Sequence, residues 1–318
     1  MRLRTFGRTG WQVSDIGYGM WGIGGWTGSD DDESRQALHR AFALGCNFFD
    51  TAWVYGLGKS ETLLREALRT HPDQPVYVAT KIPPKNMKWP ARAESTVHET
   101  FPPDHIREYT EKSLQNLGVQ TIELQQFHVW QDAWSTDAGW QRAVDDLKRE
   151  KLVRAVGISV NRWEATNVLR ALETGLIDSV QVVYNIFDQA PEDELLPYCQ
   201  SHNIAVIARV PFDEGSLTGA LTRESTWPEG DWRNTYFNRE HLAATVDRVD
   251  RLRPLVPEGM DLPGLALRFI LEHPAVSTTI PGMRRPRHVE QNFAVSDGVP
   301  LPPRLREALK QHRWDRVL

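Results

Sequence analysis

An α/β fold, a single (β/α)8 barrel of the TIM type, is predicted by three observations. Short, near-continuous apolar runs alternate with amphipathic helical stretches along most of the 318 residues. Runs of this kind suit strands covered on both faces, as in a parallel sheet. Eight of them can be counted, and eight strand-then-helix units with right-handed crossovers close into a barrel. No long linker divides the chain, so residues 1–318 are read as one domain.

The first strand is assigned to residues 10–17, preceded by a turn over residues 5–11 that reads as an N-terminal β-hairpin capping the barrel bottom. Further strands are expected at 46–50, 76–81, 122–128, 155–159, 179–183, 204–209 and 277–280. Helices are expected between them. Residues 34–44 carry apolar Ala37, Leu38, Ala41, Phe42 and Leu44, and Gly45 stands where a C-terminal cap glycine belongs. Residues 60–68 open with Ser60, read as an N-cap. Residues 105–117 end at Gly118, and helices follow at 138–150, 163–172, 192–200, 239–255 and 265–271. Residues 224–238 read as a surface excursion, and a C-terminal helix is expected at 303–312.

Composition excludes several classes of function. The chain is 40% hydrophobic and 25% charged, which rules out a disordered or fibrous protein. With 37 basic against 42 acidic residues and no basic run, no nucleic-acid partner is expected. No apolar stretch approaches the roughly 18 residues of a membrane span, so no membrane partner is expected either. The N-terminus lacks an apolar export segment, and the two cysteines, Cys46 and Cys199, fit a reducing cytosol; a cytoplasmic location is expected. No His-x-His pair appears, and only His128 among ten histidines ends a strand, so no metal site is expected.

In such a barrel the chemistry sits at the C-terminal ends of the strands. Asp50 ends the second strand and Tyr55 lies five residues further on; Lys81 ends the third and His128 the fourth. A charge that closes an apolar strand is costly to bury unless it is paired or used. One such residue is usually structural, but four at one rim point to chemistry.

The segment Asn47-Phe48-Phe49-Asp50-Thr51-Ala52-Trp53-Val54-Tyr55-Gly56, followed by Gly58-Lys59-Ser60-Glu61, resembles the signature of the aldo-keto reductases. Thr80-Lys81, Gln126-Phe127-His128, Gly157-Ile158-Ser159 and Ile280-Pro281-Gly282 recur in that family's order. The resemblance implies a nicotinamide cofactor held without a Gly-x-Gly-x-x-Gly motif, and transfer of a hydride to the carbonyl of an aldehyde, ketone or aldose. It implies Tyr55 as general acid, its phenol lowered by the Lys81 cation, with Asp50 holding Lys81 and His128 orienting the substrate oxygen.

For the cofactor it implies Asp50, Ser159, Asn161 and Gln181 near the nicotinamide. Arg209 stands where an aromatic often stacks. Pro211, Gly215 and Leu217 belong to a segment covering the pyrophosphate. Gly282, Arg284, His288 and Asn292 form the adenosine-phosphate end. NADPH is the expected cofactor, with NAD possible. Nine of the twelve tryptophans follow strands, and Trp21, Trp53 and Trp130 are expected to line the pocket for a small carbonyl or sugar substrate. The sequence leaves the oligomeric state open. The alternative function is a barrel that binds the cofactor to sense redox state, with little turnover.

Overall fold

The computed structural model describes residues 1–26 and 28–316. Strands β1 (Leu3–Phe6) and β2 (Trp11–Ser14) pair antiparallel, with Leu3 opposite Ser14 and Phe6 opposite Trp11. The other eight strands are β3 (Tyr18–Gly19), β4 (Phe48–Asp50), β5 (Tyr77–Ile82), β6 (Ile122–Phe127), β7 (Val153–Ser159), β8 (Ser179–Val183), β9 (Ala205–Arg209) and β10 (Val276–Thr279). Each pairs in parallel with its sequence neighbour, in the order β3 to β10.

The backbone joins the two ends of this sheet. Gly17 N–H donates to Thr279 O at 2.8 Å, Thr279 N–H to Asp15 O at 3.0 Å, and Gly19 N–H to Pro281 O at 3.0 Å. A Cβ on Gly19 would stand 2.4 Å from Ile280 O, so closure requires glycine there.

The first barrel strand is therefore not the expected run at 10–17. Trp11 to Ser14 belong to the hairpin, and the barrel begins at Tyr18. The reason is visible in the exposure pattern: Trp11 and Val13 are buried while Gln12 is exposed, the signature of a ribbon with one wet face. The hairpin plugs the barrel floor. Phe6 stacks on Trp11 and tilts against Phe48, and they share an apolar cluster with Ala79, Leu124, Ala155, Ala205 and Ile207. Each barrel residue in that cluster lies two positions before an inward-pointing residue nearer the strand's C-terminal end, as Phe48 does before Asp50 and Ala79 before Lys81.

Helices form the outer layer: α1 (Asp31–Ala43), α2 (Lys59–Thr70), α3 (Val97–Thr100), α4 (Pro103–Leu117), α5 (Ala138–Arg149), α6 (Leu169–Glu173), α7 (Leu195–Ser201), α8 (Arg233–Tyr236), α9 (Arg239–Leu252), α10 (Leu262–Leu271), α11 (Pro286–Phe293) and α12 (Pro303–Lys310). Gly45 and Gly118 take positive φ just past α1 and α4, where a left-handed residue ends a helix. Ser60 is not the cap of α2. Gly58 holds that position, and the Ser60 hydroxyl lies 2.8 Å from that of Thr51, tying the helix to the end of β4. The helix expected at 163–172 shrinks to α6, because Trp163 has a φ of 62° and Asn161 and Asn167 both bond the Glu164 carboxylate, folding this polar stretch into turns. Beyond α12 the chain turns back onto the barrel, with Trp314 N–H donating to Phe187 O at 2.8 Å.

Candidate active site

The site follows from the period of two along the strands. Asp50, Lys81 and Gln126 point inward, one layer above the apolar plug, from β4, β5 and β6. Lys81 is wholly buried, and its ammonium donates to Asp50 Oδ1 at 2.6 Å, to Thr51 O at 2.7 Å and to the Tyr55 hydroxyl at 3.3 Å. The other oxygen of Asp50 accepts from Gln181 Nε2 at 2.7 Å and Gln126 Nε2 at 3.1 Å. Three donors thus hold the carboxylate, and its geometry fixes the ammonium. Tyr55 reaches this point because the segment after β4 folds back tightly, with Gly56 at a φ of 69° and a Cβ there only 2.1 Å from Gly24 O.

The His128 ring stands edge-on to that of Tyr55, with centroids 5.9 Å apart, and edge-on to Trp89 at 5.8 Å. Burial, reinforced by the Lys81 and Arg209 cations, holds the His128 imidazole well below its ordinary value, so it is neutral at physiological pH. Burial opposes the charge of Lys81, but Asp50 and Tyr55 more than offset this and hold it above its ordinary value.

Tyr55 departs from expectation. Burial lifts its phenol, and Lys81 only partly pulls it back, so the net direction is upward rather than downward. The cause is the dry setting: removing water from a nascent tyrosinate costs more than one cation, itself shared with Asp50, returns.

The remaining residues divide. Ser159 lies beside Gln181 in the β7–β8 register. Arg209 closes β9 on the inward face; Nη2 of its guanidinium donates to Val160 O at 3.1 Å, and burial with nearby Arg162 lowers it to about 10. The Asn161 amide is committed to Trp130 O, Ala91 O and Glu164, bracing three loops. The amides of Gly215 and Leu217 both donate to Phe212 O, which keeps these two N–H groups inside their own turn, downstream of Pro211.

Trp53 packs edge-on to Tyr109 of α4, under Lys112, and so belongs to the outer layer. Trp130 is fully buried among Phe127, Trp134 and Trp140. Trp130, with no exposed surface, does not line the pocket. Trp21 does stand open at the mouth, stacked on Trp26 and edge-on to Trp232. Sequence reasoning assigned no role to Gln126 and placed Trp89 only among the tryptophans that follow strands. The first was legible, since it lies two residues before His128 and must share its face. The second sits in a long loop with no periodicity to bring it to His128.

A dinucleotide fits this mouth by its unmet polar atoms. Nδ1 of His128 and Nε of Arg209 are buried without hydrogen-bond partners among the described residues, a costly state unless a ligand arrives. At the far end Arg284, Arg285, Arg287 and His288 cluster at the start of α11, with Asn292 buried further along it. Burial and the three arginines together hold the His288 ring below its ordinary value, which marks a positive field suited to phosphate. A Cβ on Gly282 would meet nothing within 4 Å, so the backbone there lies open to approach.

Residues 15–313 match the model of the aldo/keto reductase family. The chain belongs to that family. Its members are NAD(P)H-dependent oxidoreductases acting on carbonyl substrates. The chain is 31% identical over 310 residues to the NADH-specific methylglyoxal reductase of Escherichia coli, covering 92% of this chain and 93% of that protein. It is 29% identical over 298 residues to the aldo-keto reductase YhdN of Bacillus subtilis, covering 91% and 87%. Among solved structures, the glycerol dehydrogenase AKR11B4 of Gluconobacter oxydans superposes with a TM-score of 0.78 at 27% identity, over 98% of this chain and 94% of that one. The holo form of aldo-keto reductase AKR11C1 from Bacillus halodurans gives the same score at 26% identity, over 100% and 98%.

Proposed function

We propose that this reductase acts on the carbonyl of a small aldehyde, ketone or aldose, with Tyr55 as proton donor and NADPH preferred to NADH. The observation that carries this is the file Asp50–Lys81–Tyr55, in which a fully buried ammonium is fixed 2.6 Å from a carboxylate and 3.3 Å from a phenol.

When bound, the reduced nicotinamide supplies the hydride. The chain supplies the rest. Burial keeps the Tyr55 phenol protonated, so it is ready to give its proton to the carbonyl oxygen as charge develops there. Lys81 then faces the tyrosinate so formed and stabilises it, and Asp50 keeps that ammonium from drifting. Neutral His128 orients the same oxygen through a ring N–H without competing as an acid. Trp89, against His128, and Trp21 form the walls available to the substrate. Gln181, Ser159 and Arg209 are the residues placed to hold the nicotinamide end.

The cluster of Arg284, Arg285, Arg287 and His288 supports the preference for a dinucleotide with an additional phosphate. The relatives divide on this point: one is named NADH-specific, while another, from Schizosaccharomyces pombe, is named with NADP(+). We further propose that residues 1–318 act as one domain in the cytosol. Both cysteines are buried and unpaired, and burial lifts each thiol to about 12, chemistry that needs no oxidising compartment.

The test is oxidation of NADPH and NADH across aldehydes, dicarbonyls and aldoses, methylglyoxal included. Turnover is expected with several of these, faster with NADPH, and is expected to vanish in Tyr55→Phe while fluorescence titration shows the dinucleotide still bound. Undiminished turnover in Tyr55→Phe refutes the assignment.

A further inference from the structure

Residues 313–316 return to the mouth of the barrel and insert a cation there. Arg316 is buried, with its side chain 2% exposed. Its guanidinium donates from Nη1 to Asp213 Oδ1 at 2.7 Å and to the Tyr236 hydroxyl at 2.9 Å, and from Nη2 to Asp188 Oδ2. The rings of Trp314 and Trp163 flank it, 4.8 Å and 5.4 Å from centroid to guanidinium carbon. Both carboxylates are buried and otherwise met by neutral donors: Trp163 Nε1 and Asn185 Nδ2 on Asp188, Ser216 and Tyr236 hydroxyls on Asp213.

Asp188 belongs to the loop after β8, and Asp213 opens the turn after β9. That turn is held in an unusual shape. Val210, Asp213 and Glu214 have φ of 56°, 44° and 55°, a left-handed region that side chains other than glycine occupy only when their surroundings compel it. Glu214 is compelled by its ion pair with Arg162, and Asp213 by Arg316. Without Arg316, the two carboxylates would share one dry pocket and lose the cation that hydrogen-bonds both. They would have to separate and hydrate, and the turn would relax.

We infer that Arg316 is a positioning residue for the dinucleotide, a latch by which the C-terminal tail holds the 210–218 turn in its binding shape. The inference rests on the reading, implied by the family resemblance, of residues 211–217 as the segment that covers the pyrophosphate. Arg316 touches neither Tyr55 nor Lys81, so its effect falls on cofactor affinity rather than on proton transfer.

The experiment compares the full-length protein with Arg316→Ala and Arg316→Lys. In the cofactor-free proteins, amide hydrogen exchange over residues 210–219 is expected to quicken on the order of tenfold in Arg316→Ala, with the barrel strands unchanged. The dissociation constant for NADPH, from fluorescence titration, is expected to weaken by a similar factor, and kcat at saturating NADPH to stay within about twofold. Millimolar guanidinium ion is expected to restore affinity in Arg316→Ala, and Arg316→Lys to fall between the two, having the charge but not the fork. Unchanged exchange and affinity in Arg316→Ala overturn the inference, as does loss of kcat with affinity intact. If Arg316→Ala does not fold, Asp213→Asn carries the same expectations for amide exchange, affinity and kcat, without rescue by guanidinium, since it weakens the latch from the other side. A wild-type protein that binds neither dinucleotide refutes the proposed function, whereas the exchange comparison still decides the latch.

Discussion

Lys81 is the residue on which the site's electrostatics turn. It is the main influence drawing the Tyr55 phenol down against burial, so Lys81→Met is expected to push that phenol higher still and to reduce turnover by several orders of magnitude, as measured by steady-state rates with unchanged cofactor binding. The sign of the pH dependence follows from the same balance. Reduction needs the Tyr55 O–H, and a raised phenol keeps it, so the reduction rate is expected to hold from neutral pH to beyond the ordinary tyrosine value of about 10. The reverse oxidation needs the tyrosinate and is expected to climb over that range. An alkaline decline in reduction near neutrality would contradict the assignment. The tryptophans offer a second contrast. Trp89→Ala is expected to raise KM for bulky carbonyls severalfold with little loss of stability. Trp130→Ala, which empties a core position, is expected to cost about 3–5 kcal/mol in denaturant unfolding and to leave substrate preference alone.

At the scale of the element, strands β4 to β9 were legible as short, largely apolar runs with neighbours on both faces, β10 (Val276–Thr279) only by its β-branched residues, and the inward set at their ends followed from alternation. The opening strand was not, because the alternating stretch 11–14 and the two-residue strand Tyr18–Gly19 lie side by side in sequence and only the longer one carries a pattern. Closure there depends on glycine, which has no hydropathy signal. Gly19→Ala is expected to drive a methyl against Ile280 O and to destabilise the fold by about 1–3 kcal/mol, read as a lower melting temperature, since the obstruction is backbone and cannot swing aside. The cap of α2 was misread for a related reason. Ser60 looks like an N-cap, but its hydroxyl is used by Thr51, and the left-handed Gly58 begins the helix. The Arg316 cluster was beyond sequence reasoning altogether, because its members are separated by 103 and 128 positions and no local pattern links them.

For the molecule as a whole, the histidines contribute a loss of stability in acid. His105, His128, His273, His288 and His312 are all held below the ordinary imidazole value, burial being the first cause for each. His105 is additionally fixed by a 2.7 Å contact from Nε2 to Pro83 O. In the unfolded chain these rings take up protons as pH falls through about 6.5, while in the folded chain they stay neutral until lower pH. The unfolded state therefore binds more protons in that window, and stability must fall as pH falls. Each fully neutral-held ring contributes a slope of at most about 1.4 kcal/mol per pH unit, beginning near 6.5 and ending where the folded ring itself protonates. Above about pH 7 both states carry neutral rings, and the effect vanishes. Urea midpoints measured from pH 8 to pH 5 are accordingly expected to be level at first and then to decline steadily below 6.5. His105→Gln is expected to lessen that decline, because an amide keeps a donor for Pro83 O without a proton to gain. A midpoint that rose on acidification would show that groups other than the buried imidazoles govern this protein's tolerance of acid, and an equal decline in His105→Gln would show that His105 is not among the rings responsible.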